Sequence, residues 1–408
     1  IASARVAHLS RRARDYGIEH GSVSVSMERV RERKRTVVES FRASSRSSLE
    51  EKEHLDLLEG EARFTGPRTL EVDLEDGDRR TITGEKAVVN TGARPFIPPI
   101  DGLRQVDYLD STTIMELGDV PDHLLVLGGG YIGLEFGQMF RRFGARVTII
   151  QRGDQLLTRE DADVAETVGE ILEEDGIEVL LSSEATRAVQ HGDGSIGLEV
   201  EGPEGTRTLE GSHLLVATGR RPNTDDLGLE EAGIETDETG HVQVDEHLST
   251  TAEHVWAIGD VNGGPAFTHI SYDDYRILRD RWLTGERRST RDRPVPYTLF
   301  TDPQLGRVGL TEEEARETDR EIAVAKMPMS HVARAIEIDE TRGLMKAVVD
   351  TETDQILGAA ILGREGGEIM SVLQVAMMGD LPYTLLRERP FAHPTFAESL
   401  NNLFATLG

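Results

Sequence analysis

The chain contains no cysteine. Structural disulfides and thiolate metal sites are therefore excluded within it, as is any thiol chemistry carried by these residues alone. Lysine is almost as scarce, with only Lys34, Lys52, Lys86, Lys326 and Lys346, and 74 acidic against 45 basic residues leave a formal charge of −29. A field of that sign opposes non-specific nucleic-acid binding, so no nucleic-acid partner is expected. An acidic, lysine-poor surface also suits a high-salt cytoplasm. The basic run from Arg29 to Arg35 lies where Val30, Val37, Val38 and Phe41 recur at roughly helical spacing. It reads as a solvated helix face before it reads as a nucleic-acid patch. Also missing is any apolar run near the roughly 18–20 residues that a membrane span needs. The stretch after Ile1 has no apolar signal core. No membrane partner is expected, and a cytoplasmic location is. Because the first residue is not methionine, the chain reads as starting inside a larger gene product. Repeats and low-complexity tracts are absent.

At 408 residues the chain is too long for one ordinary core, so two or three domains are expected. Apolar residues make up 38%, enough for folded domains, and 41 glycines point to many tight turns. Ile1 to about Leu58 reads as two long helices broken near Gly17 and Gly21. A strand-rich stretch with turns at Gly66-Pro67 and Asp76-Gly77 follows. From about Ser111 the pattern alternates strand and helix: a strand over 123–127, a glycine loop over 128–133, a helix over 134–143 and a strand over 145–150. A further step covers 162–181, then a meander turning at Asp193-Gly194, and a closing strand over 213–217. A second shift comes near Pro294. Beyond it, Thr311 with Glu314 three residues on predicts a capping box.

The sharpest signal is LLVLGGGYIGLE, which sets Gly128, Gly130 and Gly133 in G-x-G-x-x-G spacing. The first glycine permits a tight turn, the second lets a pyrophosphate approach, and the third lets helix and strand pack closely. The helix N-terminus then presents free N–H groups and a positive dipole end to the phosphates. A lone match would be weak, but this one follows a strand, opens a helix and precedes a second strand. Where that second strand ends, NAD sites place an acid for the ribose hydroxyl. Here stand Gln151 and Arg152. Loss of the acid removes repulsion of a 2′-phosphate, and an arginine can pair with it, which favours NADPH over NADH. The alternative is that Arg152 is an ordinary surface arginine.

VVNTGARP, GGGYIGLE, VATGRRPNT, WAIGDVNGGPAFTHIS and RPFAHPTFAE occur in that order. In this the chain resembles the class I pyridine nucleotide-disulfide oxidoreductases over essentially its whole length. FTHISYDDYRI, DETRGLMKAVVD and HPTFAESLNNLF resemble the mercuric-reductase-like and reactive-chlorine-resistance branch. The resemblance implies an α/β chain with two Rossmann-like nucleotide-binding domains, the FAD one split and N-terminally incomplete, plus a C-terminal α+β dimerisation domain. The implied boundaries are 1–113 and 223–293 for FAD, 114–222 for NAD(P) and 294–408 for dimerisation. It implies that FAD meets Ala62, Thr91, Gly92 and Asp260, and that the helix starting at Thr268 and His269 points at the flavin. Such an N-terminus would stabilise negative charge developing on the ring. Asp260 also reads as a turn or cap residue.

The same resemblance implies that Tyr131 covers the flavin until nicotinamide displaces it, although Tyr131 could instead pack on its own loop. Glu135 would pair with a lysine beside the flavin, and Gly219 and Arg220 would make a second contact with the nicotinamide cofactor. His393 and Glu398 would form an acid/base dyad reaching the partner's active site in a homodimer, the carboxylate fixing the imidazole tautomer. Against that, Thr395 and Glu398 also read as a capping box before the last helix. No histidine shows metal-ligand spacing. The family opens with its own FAD glycine loop and a C-x-x-x-x-C pair, so roughly 30 or more residues, at least one βαβ unit, are expected to precede Ile1. The C-terminal FATLG has no vicinal cysteines, which weighs against mercury as substrate. The expected reaction passes hydride from NADPH through FAD to a disulfide or metal-ion acceptor. Two alternatives stand beside it: a dihydrolipoamide dehydrogenase, and an inactive NAD(P)-binding, dimerising remnant.

Overall fold

The computed structural model of the chain describes residues 1–291 and 293–408. Helices α1 (Ala2–Arg11) and α2 (Met27–Glu50) come first, then strands β1 (Gly60–Gly66), β2 (Thr69–Leu74), β3 (Arg79–Thr83), β4 (Ala87–Val89) and β5 (Ala93–Pro95). An alternation follows: β6 (His123–Leu127), α3 (Tyr131–Phe143), β7 (Arg146–Ile150), α4 (Ala162–Glu174) and β8 (Glu178–Leu180). The meander β9 (Glu184–Gln190), β10 (Ile196–Gly202) and β11 (Gly205–Gly211) leads to β12 (His213–Val216). Next are β13 (Arg220–Pro222), α5 (Leu229–Ala232), β14 (Val255–Ala257) and α6 (Thr268–Leu283). The last stretch holds β15 (Tyr297–Leu299), β16 (Gln304–Gly309), α7 (Glu312–Arg316), β17 (Ile322–Pro328), α8 (Ala333–Glu337), β18 (Leu344–Asp350) and β19 (Ile356–Gly363). Three helices end it: α9 (Gly366–Met378), α10 (Tyr383–Glu388) and α11 (Ser399–Ala405). No helix among the described residues is long and apolar enough to cross a membrane.

Two compact units share the chain. Ile1–Arg31, Ile97–Gly219 and Pro296–Gly408 form the first, and Glu32–Phe96 with Arg220–Val295 the second. In the first unit, β12-β6-β7-β8 make a parallel sheet in that order. β6 is buried at every position, as a strand covered on both faces must be. Its period-two alternation sends Leu124 and Val126 into one core and Leu125 and Leu127 into another. The first core also takes in α3 and α4 and reaches Leu299, Leu305 and Leu344 of the C-terminal sheet. That sheet is antiparallel, ordered β15-β16-β19-β18-β17. The second core lies between the parallel sheet and the β11-β10-β9 sheet. In the second unit, β1-β2-β3 form an antiparallel sheet, β13 pairs with β5, and β14 lies parallel to β4.

The two units do not follow the four expected segments one to one. Residues 1–31 and 97–113 belong with the glycine loop. The cause is packing: α1 buries Ala4 and Ala7 in the core that holds Phe140 and Phe143 of α3, and the Arg11 guanidinium donates to the Arg142 carbonyl. The two expected N-terminal helices are present, but they are separated by a 3₁₀ turn ending at Gly17 (φ 73°), and α2 stops at Glu50 rather than near Leu58. Val37, Val38 and Phe41 on α2 are exposed. The Thr311 capping box forms as expected: the Thr311 hydroxyl accepts from Glu314 N–H at 3.0 Å and the Glu314 carboxylate from Thr311 N–H at 2.8 Å.

One buried charge network ties α3 to the C-terminal sheet. Arg142 donates to the Asp302 carboxylate at 2.5 Å and to its carbonyl at 2.7 Å, and lies 3.3 Å from Asp175. Gln138 accepts from Asp302 N–H and donates to the Asp302 carbonyl. Arg342 holds Asp175 at 2.9 Å, and Arg364 holds Asp302 at 3.2 Å. Burial opposes ionisation of Asp302, but Arg142 overrides it and holds the carboxyl below its ordinary range. A depressed carboxylate adds stability above its unfolded pKa and loses it as pH falls through the folded one. Asp302→Asn is therefore expected to lower unfolding free energy by about 3–5 kcal/mol near neutrality. Its melting temperature should also fall less steeply than the native chain's below about pH 4. Thermal melts over a pH series check both; an equal acid slope in the two proteins would contradict the assignment.

Candidate functional site

The glycine loop owes its shape to two close approaches. Gly128 has φ 107°, and a Cβ there would stand 2.4 Å from the Ala217 carbonyl oxygen. A Cβ at Gly133 would stand 2.0 Å from the Gly128 carbonyl oxygen, so α3 sits on β6 only because residue 133 is glycine. Gly130 is different: its φ is −88° and a Cβ would meet nothing within 4 Å. It is the N-cap of α3, and no side chain caps that helix. The turn thus leaves open space against uncapped N–H groups, which fits a pyrophosphate.

Gln151 follows β7 and folds back, its Oε1 accepting from Gly129 N–H at 2.9 Å. Leu157 N–H donates to the Gly129 carbonyl at 3.0 Å, so the segment after β7 clasps the glycine loop twice. Arg152 is 82% exposed at its side chain, and among the described residues its ion pair is with Glu184, at 4.0 Å. It stays available to an anion.

Tyr131 opens α3. Its ring lies 5.2 Å from that of Tyr297 at 51°. Burial pushes the Tyr131 phenol up. One turn on, the Glu135 carboxylate accepts from Phe300 N–H at 2.8 Å, and burial pushes its carboxyl up. Gly219 has φ 138°.

His393 and Glu398 also belong to the first unit. The imidazole Nδ1 faces the two carboxylate oxygens of Glu398 at 2.9 and 3.1 Å. A carboxylate there keeps the proton on Nδ1 and leaves Nε2 basic. The His393 side chain is 69% exposed. The competing cap is half formed: Glu398 N–H donates to Thr395 Oγ1 at 3.2 Å, but the carboxylate turns to His393 and α11 starts only at Ser399.

In the second unit, Arg220 and Asp260 approach at 3.5 Å, and the Arg220 guanidinium also donates at 2.5 Å to the Ala93 carbonyl. The Thr91 hydroxyl donates to the Asn223 carbonyl at 2.9 Å, and Gly92 (φ 69°) has open space where a Cβ would lie. Ala62 is exposed on β1, an edge strand, so alternate backbone groups face away from β2. Thr268 is the first residue of α6, whose N-cap Phe267 gives no side-chain cap. The open turn at Gly92 and the uncapped sixteen-residue helix fit a second nucleotide cofactor.

Sequence reading missed Glu160, Tyr297 and Arg307, which meet behind Tyr131, and the Gln138–Arg142–Asp302 network. Glu160 lies 137 residues from Tyr297, and Gln138 lies 164 from Asp302, so no local spacing joins these partners.

A parallel sheet with an open glycine loop and an uncapped helix behind it defines a dinucleotide-binding α/β protein. Family models agree and go further: the pyridine nucleotide-disulphide oxidoreductase model matches residues 6–274, and the dimerisation domain of the same name matches 295–404. The chain belongs to this family, an enzyme family of FAD-binding flavoproteins that use NAD(P)H. It is 41% identical to the probable pyridine nucleotide-disulfide oxidoreductase RclA of Escherichia coli, over 92% of this chain and 84% of that one. To a mercuric reductase of Streptomyces lividans it is 36% identical, over 90% of this chain and 77% of the relative. The solved structure of the HOCl-induced flavoprotein disulfide reductase RclA from Escherichia coli superposes with a TM-score of 0.87 at 40% identity, covering 94% of this chain and 87% of that one.

The glycines separate packing from binding. Gly130→Ala is expected to leave the melting temperature unchanged while weakening NADP⁺ binding by at least about tenfold. Gly133→Ala should instead cost about 1–3 kcal/mol of stability from overpacking. Calorimetric titration and thermal melts on both variants test the difference.

Proposed function

We propose that this chain acts in a homodimeric, cytoplasmic reductase that takes hydride from NADPH and delivers electrons through FAD to a disulfide or metal-ion acceptor. The observation that carries the reading is the open turn at Gly130 with Tyr131 at its mouth. When bound, FAD supplies two-electron hydride acceptance and onward transfer. The residues of this chain do the rest. Gly128, Gly130 and Gly133 let the pyrophosphate rest on the N-terminus of α3. Gln151 is neutral and already engaged with Gly129, so it does not repel a 2′-phosphate, and Arg152 pairs with that group. Tyr131 shields the flavin face until nicotinamide arrives. Ala62, Thr91, Gly92 and Asp260 hold the FAD nucleotide and ribityl groups, with Gly219 and Arg220 on the nicotinamide cofactor.

The N-terminus of α6 at Thr268 stabilises negative charge on the isoalloxazine ring. Glu135 would pair with a lysine beside that ring. His393, its tautomer held by Glu398, moves the proton of the acceptor step in the partner subunit's site. The domain assignment follows: 114–222 for NAD(P), 1–113 with 223–293 for FAD, and 294–408 for dimerisation. With no cysteine in these residues, the electron relay to the acceptor depends on groups outside them.

Flavin-loaded protein should be yellow and bleach anaerobically with NADPH. A full-length preparation that takes up no flavin would sink the reading. Arg152→Ala should raise KM for NADPH about tenfold and leave NADH unaffected, the scale of one lost charge-assisted hydrogen bond. A variant with unaltered NADPH kinetics would remove Arg152 from the site. His393→Gln should slow acceptor reduction by about 10²-fold or more while stopped-flow flavin bleaching keeps its rate. Slower bleaching would place His393 elsewhere in the cycle.

A further inference from the structure

Behind Tyr131 lies a chain of side chains that the reaction above does not use. The Tyr297 hydroxyl donates to Glu160 Oε1, and the Tyr297 ring packs on that of Tyr131, with centroids 5.2 Å apart. The Glu160 side chain has no exposed surface, and its Oε2 has no hydrogen-bond donor. The nearest cation, the Arg307 guanidinium, stands off at 3.8 Å and is nearer Asp161, at 3.5 Å. Placing a carboxyl there opposes burial, and an apolar side chain of the same volume would fill the space with less desolvation. What the carboxyl adds is direction, as a single acceptor that fixes the Tyr297 hydroxyl.

Glu160 is itself held at two ends. Its N–H donates to the Leu157 carbonyl at 2.7 Å, while Leu157 N–H and Gln151 Oε1 bind Gly129 of the glycine loop. On its other side, Asp161 accepts from Glu312 N–H at 2.9 Å, and Lys346 stands 3.3 Å from its second oxygen. The segment 151–161 therefore grips the glycine loop with its first half and the C-terminal sheet with its second. A dinucleotide seated at Gly130 meets Tyr131 as the next side chain along the helix.

We propose that Glu160 is a positioning residue that acts through Tyr297 on Tyr131 and sets how readily that ring moves aside for the nicotinamide end of the dinucleotide. The proposal rests on the reading of Tyr131 given under the proposed function. The tethered ring opposes entry of the dinucleotide, so release of the tether strengthens binding. Tyr297→Phe removes one hydroxyl and keeps the ring packing. It should tighten NADP⁺ binding by about two- to tenfold, the range of one net hydrogen bond. Glu160→Gln retains an acceptor for Tyr297 and should stay within about twofold of the native chain. In a Tyr131→Ala background the Tyr297→Phe change should have no further effect, because the ring it steadies is already gone.

Isothermal titration of NADP⁺ into the flavin-loaded protein gives the constants. Ring-labelled tyrosine NMR, with Tyr131 assigned from its Phe variant, should show a sharper, more mobile ring signal in Tyr297→Phe. A purely structural role predicts a lower melting temperature with affinity and ring mobility unmoved, and that result overturns the proposal. Equal, additive effects of Tyr297→Phe in both backgrounds overturn it as well. If the native chain itself binds no NADP⁺, the dinucleotide reading falls and takes this one with it. If the native chain binds and Tyr297→Phe binds identically, only the tether falls.

Discussion

The seating of α3 on β6 is the constraint on which the rest of the first unit depends. At Gly133 the backbone of the helix comes so close to the Gly128 carbonyl that no side chain fits between them. That approach fixes the direction of the helix, and with it the placement of every group the helix carries. Tyr131, Glu135, Gln138 and Arg142 follow one another at three- and four-residue steps along one side. Each meets its own group of the C-terminal stretch: Tyr297, the Phe300 N–H, the Asp302 backbone and the Asp302 carboxylate. One helix thus presents an uncapped end at the glycine loop and an anchored flank. Movement of either would be felt by the other.

The charges along this flank are arranged unequally. Asp302 has Arg142 and Arg364 within ion-pairing distance, and its carboxyl is held down despite burial. Glu160, as deeply buried, has one distant guanidinium and one phenol, and burial pushes its carboxyl up. In low dielectric, a carboxylate with two close cations stays charged and rigid, whereas one without them drifts toward the neutral form. The Asp302 end therefore behaves as an anchor, and the Glu160 end as a weaker, directional contact beside the ring that the proposed reaction needs to move.

Much of the fold was legible locally. The buried strand 123–127, the glycine spacing and the Thr311 capping box are decided by residues within a few positions of one another, and each forms as read. The Thr395–Glu398 pattern shows the limit of such reading. Spacing made Glu398 a helix cap and the family resemblance made it a partner of His393, and the structure divides it, the backbone going to Thr395 and the carboxylate to His393. The attachment of α1 to α3 was not legible. Small residues such as Ala4 and Ala7 carry little periodic signal, and the Arg11 contact spans 131 residues. The Glu160–Tyr297 pair was hidden for the same reason: a glutamate in a polar loop and a tyrosine after a proline look like surface residues until two sheets bring them together.

Cofactor choice illustrates what geometry adds to a motif. In the sequence, the missing acid after β7 and the adjacent Arg152 both favour NADPH. In the structure, Gln151 occupies that position and spends its carbonyl oxygen on Gly129 N–H, closing the loop on itself. An acid would have made the same bond and also placed a charge beside a 2′-phosphate. The amide keeps the loop bond without that repulsion. Selectivity then passes to Arg152, whose guanidinium is solvated and only weakly engaged by Glu184. A solvated cation discriminates less than a buried one, because water screens the attraction and ordering the long side chain costs entropy. In the proposed reading, discrimination by this site rests mainly on the absence of an opposing charge, with a smaller, salt-sensitive preference from the arginine.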